Sequence, residues 1–189
     1  MTDVETTGLS SKTHEVTQIS IIRCSDRHQL NKYIRALHPE KATPMALEVT
    51  GRTRADLLKG GTREEAVESC NKFFEQDGAT PEHRCIIGHN IQRFDRNFLF
   101  ALWESVGKTF PANLWLDTLP ATKEYAKTAG IQSSSFNLEN ALIITGCNAR
   151  SGQHNAIVDT QNNYILWNKL EKYGVDFLKF TQRRAHEVK

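Results

Sequence analysis

Asp3 and Glu5 stand two residues apart in the opening stretch MTDVETTGLS. In an extended strand, residues i and i+2 project to the same face, so this spacing sets two carboxylates side by side. Such like charges repel, and burying them is costly unless a cation sits between them. The pair is therefore either a wet strand end or half of a cation site. Three further stretches hold isolated acids in apolar surroundings: GHNIQRFDRNFL with Asp95, LWLDTL with Asp117, and SGQHNAIVDTQNN with His154 and Asp159. Five residues along a helix turn through about 500°, so His154 and Asp159 do not share a helix face. They converge only if His154 lies in the loop ahead of the helix, with Asn155 as its N-cap. That arrangement suits a mobile base beside a fixed ligand.

Strands must end, and helices begin, at one place to gather these side chains. Val16 to Ile22 alternates and then runs apolar, which reads as a strand. Thr62 and Glu65 are spaced for a capping box. Ala66, Cys70, Phe73 and Phe74 then recur at helical spacing, predicting a helix over Arg63 to Glu75. CIIGHN (85–90) reads as a short buried strand ending in a loop. RFDRNFLFALWESVG (93–107) reads as a helix with Phe94, Phe98 and Leu102 in the core and Gly107 as its stop. LWLDTL (114–119) is a further strand, and a long helix runs from Ala156 to about Lys172. Strands alternating with helices indicate an α/β domain. Only Met1 and Thr2 precede Asp3, whereas strands usually run about five or six residues. This favours residues upstream in the natural chain over an unusually short strand.

The bulk properties fit that picture. A chain of 189 residues is most simply one domain with room for a sizeable core. Its 39% hydrophobic and 24% charged residues are ordinary for a globular protein. No apolar run approaches the roughly 20 residues of a membrane span, and no signal pattern opens the chain. Cys24, Cys70, Cys85 and Cys147 form no CxxC pair, which argues against a zinc or disulfide framework and for an intracellular (cytoplasmic or nuclear) setting. A net charge of +2 does not by itself indicate a nucleic-acid binder. There is no internal repeat or low-complexity linker.

In order, Asp3-Val4-Glu5-Thr6-Thr7-Gly8-Leu9, then His89-Asn90 with Phe94-Asp95, then His154 with Asp159 resemble the three motifs of the DEDDh 3′–5′ exonucleases of the DnaQ-like superfamily. MALEVTG and LWLDTLPATK resemble intermediate segments of that family. HNIQRFDRNFL is most similar to the three-prime repair (TREX-like) branch. The likeness runs from about residue 3 to about 172, so 1–189 reads as a single exonuclease domain with 173–189 as a C-terminal extension. A bare DxE arises by chance about once in 400 positions, whereas DxETTG arises about once in three million.

The resemblance implies an RNase H-like mixed sheet of about five strands, flanked by helices on both faces. It also implies two divalent ions, Mg²⁺ with Mn²⁺ as substitute, held about 3.5–4 Å apart by Asp3, Glu5, Asp95 and Asp159. His154 would be the general base, suited by an unperturbed pKa of about 6.5. Thr6, Thr7 and Gly8 would grip the 3′-terminal nucleotide, while Leu9 and Val49 wedge against its base. Asn90 would contact the scissile phosphate, with Arg93 and Arg96 adding positive charge around Asp95. Arg52 stands where relatives often carry leucine, which trades apolar grip for phosphate contact. His89 and Asp117 read as structural, and Arg183, Arg184 and Lys189 as a solvated basic tail. The implied substrate is the 3′ end of single-stranded or frayed nucleic acid, DNA before RNA, releasing nucleoside monophosphates. The competing reading is a catalytically weak or inactive nucleic-acid-binding module of a larger protein, which an unusually short first strand would favour. No sequence feature indicates an oligomeric state.

Overall fold

Strand β1 spans Thr2–Thr6 in the computed structural model, which describes residues 1–152 and 154–183. Five residues is an ordinary strand length, so Asp3 and Glu5 sit inside a paired strand. β1 pairs antiparallel with β2 (Val16–Ile22), setting Asp3 opposite Ser20 and Glu5 opposite Gln18. The alternate residues Thr2 and Val4 face Ile21 and Ile19. The Met1 amino group donates to the Ile22 carbonyl at 2.7 Å, fastening the start of β1 to the end of β2. β3 (Gln29–Tyr33) completes this antiparallel sheet on the far side of β2.

A second sheet joins β4 (Cys85–Gly88) parallel to β5 (Leu114–Asp117), with β6 (Thr181–Arg183) antiparallel on the other edge of β5. Among the described residues the strands number six in two three-stranded sheets, in rough agreement with the mixed sheet of about five strands flanked by helices. β1 and β4 lie side by side. The Val4 N–H, however, donates to the Asp95 carboxylate at 3.2 Å and not to a neighbouring strand.

Every residue of β2 is buried, because helices cover both its faces. Ile19 and Ile21, with Val4, join the core beneath α2 (Arg63–Glu75) and α3 (Asp95–Glu104). That core holds an aromatic cluster in which Phe110 meets Trp103 at 4.7 Å and Trp115 at 5.2 Å between ring centroids. Truncating such a ring to alanine costs about 3–5 kcal/mol. The opposite face carries Gln18, Ser20 and Ile22 towards α6 (Ala156–Lys172), where Ile22 packs with Tyr164 and Trp167.

α2 begins on the expected capping box: Glu65 N–H donates to Thr62 Oγ1 at 3.2 Å, and Thr62 N–H to Glu65 Oε2 at 2.9 Å. α6 starts after Asn155, whose Oδ1 accepts from the Ile157 N–H at 3.3 Å. α3 is shorter than 93–107, since the chain turns through Asn90 at φ 61° before the helix can begin. Phe94 accordingly lies ahead of α3 and only half-buried. LWLDTL divides at Asp117, which accepts from the Leu119 N–H at 3.0 Å and caps α4 (Thr118–Thr128). α1 (Pro44–Thr50) and α5 (Leu138–Ile144) complete the helices. Part of the expected tail is folded: Arg183 pairs across β6 with Leu114, while Arg184 and Lys189 lie outside the described residues. Among the described residues no helix is long and apolar enough to cross a membrane.

Candidate metal centre and nucleic-acid cleft

Two strand residues and one helix residue make the centre. Asp3 and Glu5 project from β1 onto the α6 face, and Asp159 descends from the first turn of α6. One carboxylate oxygen of each lies within 4.8 Å of the others. Asp95, the first residue of α3, stands outside that trio but lines the same cavity of about 530 Å³. Among the described residues, none of these four acids forms a salt bridge.

Their protonation reflects this crowding. Burial, followed by the charges of Asp95, Glu5 and Asp159, drives Asp3 well above the usual carboxylate range. Burial, then Asp159 and Asp95, raises Glu5 to about 8, opposed by the Arg52 charge. Burial raises Asp95 to about 7 although its own N–H and that of Val4 favour the anion. Asp159 is raised by burial against the N–H groups of His154 and Asn155. Ser20 Oγ, across the strand pair from Asp3 and on the same face, is buried with no hydrogen-bond partner among the described residues. A cluster of hard oxygen donors without a counter-cation has the chemistry of a Mg²⁺ or Mn²⁺ site.

His154 lies in the loop ahead of α6, as its spacing from Asp159 requires. Its N–H donates to Asp159 Oδ2 at 2.8 Å, and its backbone is left-handed at φ 62°. The exposed imidazole makes no hydrogen bond to another described residue and lines the cavity. The main chain is thereby pinned while the ring keeps its freedom.

The remaining predicted contacts separate into two groups. Thr6, Gly8, Leu9, Val49 and Asn90 line the cavity, with Leu9 77% and Val49 42% exposed. Thr7 does not. The register slips between Glu5 and Thr6, and Thr7 turns inward, its N–H donating to the Glu15 carbonyl at 2.9 Å and its hydroxyl accepting from the Glu15 N–H. Arg93 is exposed on the turn before α3 and is not part of the cavity wall, nor is half-buried Arg96. Arg52 is also absent from that wall. Its guanidinium donates to the Asp56 carbonyl at 3.0 Å and lies over the Tyr33 ring, so it braces the fold and does not stand ready for a phosphate.

His89 and Asp117 hold the second motif in place. Asp117 Oδ1 accepts from the Asn90 N–H at 2.8 Å, fixing the turn that delivers Asp95. His89 Nε2 donates to the Phe136 carbonyl at 2.8 Å, while Nδ1 meets Thr118 Oγ1 at 3.0 Å. Burial lowers its pKa, favouring the neutral ring. Phe94 lines the cavity as well as touching the core, which the periodicity alone did not indicate.

Around the predicted Val49, sequence reasoning missed the rest of one wall of the cleft: Met45, Ala46, Thr50 and His14. Met45, Ala46, Val49 and Thr50 present one face of α1 to the cavity, and His14 closes it from below the first turn. The signal was available: Thr43 caps, Pro44 opens the helix, and Gly51 closes it at φ 64°. His14 packs so closely that a Cβ on Gly8 would lie 2.5 Å from its ring, so a larger residue at position 8 would have to displace the imidazole from the cavity wall.

With this geometry in hand, relatives can be compared. The family model RNase_T, an exonuclease family, matches residues 1–167. The PolC-type DNA polymerase III of Halalkalibacterium halodurans is 28% identical over 171 residues, covering 87% of this chain. The chain spans only 11% of that relative's length. Among solved structures, the nuclease domain of 3′hExo, a DEDDh family member bound to rAMP, aligns with a TM-score of 0.71 at 14% identity, over 93% of this chain and 92% of that one. Escherichia coli exonuclease I in its zinc-bound complex with single-stranded DNA gives 0.74 at 22% identity, over 92% and 40%. Cell-death related nuclease 4 gives 0.74 at 14%, over 92% and 63%. At these identities the structures share the fold.

Proposed function

The chain belongs to the RNase_T exonuclease family, and from that premise we propose that it hydrolyses nucleic acid from the 3′ end. It releases nucleoside monophosphates from single-stranded or frayed ends, DNA in preference to RNA, with divalent metal. The observation that carries this reading is the meeting of Asp3, Glu5 and Asp159 within 4.8 Å, with Asp95 on the same cavity and no cation paired to any of them among the described residues. Asp3, Glu5, Asp95 and Asp159 would hold the metal, Mg²⁺ or Mn²⁺. When bound, such ions supply Lewis acidity and charge neutralisation at the scissile phosphate.

The chain's own residues do the rest. Leu9, Met45 and Val49 offer an apolar face against which the terminal base can pack, a contact that is tolerant of sequence because every base has an apolar face. Thr6 and Gly8 border the terminal sugar, and Asn90, held in its turn by Asp117, faces the phosphate. His154 takes the proton from the attacking water as the new P–O bond forms and the bond to the preceding 3′ oxygen breaks. The free ring can approach, while its pinned main chain keeps it beside Asp159.

Two structural relatives hold a nucleic-acid component, single-stranded DNA in exonuclease I and rAMP in 3′hExo. The preference for DNA is supported by the second motif's likeness to the three-prime repair branch and by the DNA held in exonuclease I, whereas the rAMP in 3′hExo is a ribonucleotide. The reading as an inactive module loses its main support, since β1 is of ordinary length and holds Asp3 and Glu5 in register.

Oligonucleotides labelled at either end, as DNA and as RNA, incubated with Mg²⁺, Mn²⁺ or EDTA, test the proposal. Metal-dependent laddering from the 3′ end, lost in His154→Asn, is the expected result. Binding without cleavage in any metal would show a binding module instead.

A further inference from the structure

A second cavity of about 540 Å³ opens along the outer side of α6, away from the acidic centre. Four cations reach it from three segments: Arg27 from the β2–β3 turn, Arg150 from the loop before His154, and Lys169 and Lys172 from the last turns of α6. No carboxylate among the described residues lines it. None of the four cations pairs with a carboxylate among the described residues, although Arg23, Lys59, Arg63, Arg84 and Lys108 elsewhere do. Lysines at a helix C-terminus are ordinary complements to the helix dipole. Arg27 and Arg150 belong to other segments, and their arrival at the same cavity has no such explanation.

The site is also built. Asn162, fully buried on α6, accepts from the Arg150 N–H at 2.7 Å and donates to the Arg150 carbonyl at 3.2 Å. Gln161 Nε2 donates to Gln29 Oε1 at 2.8 Å, tying α6 to β3 across the cavity. Tyr164 adds an aromatic wall, so the cavity combines cations, amides and a stacking surface. Along α6, Lys169 lies about 15 Å and Lys172 about 20 Å beyond Asp159 at 1.5 Å per residue.

We propose that this cavity binds the phosphodiester backbone of the nucleic-acid strand several nucleotides upstream of the 3′ end held at the carboxylate centre. The proposal rests on the exonuclease reading for its substrate. One helix then carries a metal ligand at its start and a backbone clamp at its end. The clamp adds affinity for long strands and leaves the chemical step alone.

The test compares wild type with Arg150→Gln/Lys169→Gln/Lys172→Gln, and with exposed Lys172→Gln alone, on DNA strands of about 4 and about 16 nucleotides, lengths that bracket ordinary single-strand sites. Fluorescence anisotropy against salt in EDTA gives binding, and Mg²⁺ assays give hydrolysis. The triple variant should lower the salt slope for the long strand by about 2, at about 0.7 for each phosphate no longer neutralised. Lys172→Gln should lower it by about 0.7. Hydrolysis of the short strand should be unchanged and the melting temperature preserved. An unchanged long-strand slope in both variants overturns the clamp, whereas wild-type hydrolysis in the same assays keeps the exonuclease reading. A slope reduced by these substitutions, with no hydrolysis by the wild type, would keep the clamp and remove the exonuclease reading. Equal competition by inorganic phosphate and by the long strand would also overturn the clamp, showing a small-anion site.

Discussion

Gln18 Nε2 donates to the Asn155 side-chain oxygen at 2.9 Å, joining the strand opposite Glu5 to the cap of the helix that carries Asp159. The same amide donates to Asn31 Oδ1 at 3.0 Å, so a buried glutamine ties β2, β3 and α6 together behind the carboxylates. Gln18→Leu keeps the volume and removes both bonds. We expect a loss of about 1–2 kcal/mol in stability, and a fall in kcat of up to about 100-fold through misplacement of Asp159. Chemical denaturation and single-turnover kinetics check the two arms. Unchanged kcat would show that the cap positions itself.

His154 occupies a left-handed conformation that asparagine also tolerates. His154→Asn should therefore keep the fold and the bond from its N–H to Asp159, while kcat drops by about 10²–10⁴. Its pH–rate profile should lose the limb that reports the base. A variant retaining that limb would place the proton acceptor elsewhere.

Stability of the metal-free protein should fall as pH rises. Glu5 titrates at about 8 and Asp95 at about 7 when folded, against about 4 in the unfolded chain. Between these values the folded state binds more protons than the unfolded, so unfolding free energy declines with pH. Melting curves in EDTA should shift down from about pH 5 to about pH 8. Mg²⁺ or Mn²⁺ should raise them, and more so at the alkaline end. In EDTA at pH 8, Glu5→Gln should melt above wild type despite being inactive. Flat, metal-independent profiles would mean that the carboxylates are solvated.

Leu9, Met45 and Val49 stand exposed around a cavity that otherwise gathers charge. Replacing Leu9 or Val49 by alanine should raise KM for single-stranded ends by roughly 5- to 30-fold, the range expected from losing about 1–2 kcal/mol of apolar contact with the base. kcat should change little. Steady-state kinetics on a short oligonucleotide decide it, and a pure kcat effect would remove these residues from the binding surface.

Much of this was legible in the sequence because the informative residues obey short-range rules. α2 was legible at both ends and α6 at its start, since each has a capping side chain followed by recurring apolar positions. The carboxylates were legible because the parity of β1 and the Asn155 cap fix where Asp3, Glu5 and Asp159 point. β3 was not: QLNKY is a half-exposed edge strand without apolar alternation. α1 buries no residue, so its period was invisible even though its cap, proline and closing glycine were all present. β6 is three residues whose pairing with β5 is wholly non-local. Thr7 escapes strand parity for a different reason: the register slip skips Thr17 on β2, β1 ends at Thr6, and the turn that follows is set by the two bonds between Thr7 and Glu15.

That slip has an evolutionary consequence. Up to Glu5, β1 counts strictly in twos, so a single inserted or deleted residue there would send the carboxylates into the apolar core and Val4 into the ionic centre. Past the irregularity the count no longer binds. From there the chain is held by other means, the bonds of Thr7 to Glu15 and the packing of Gly8 against His14.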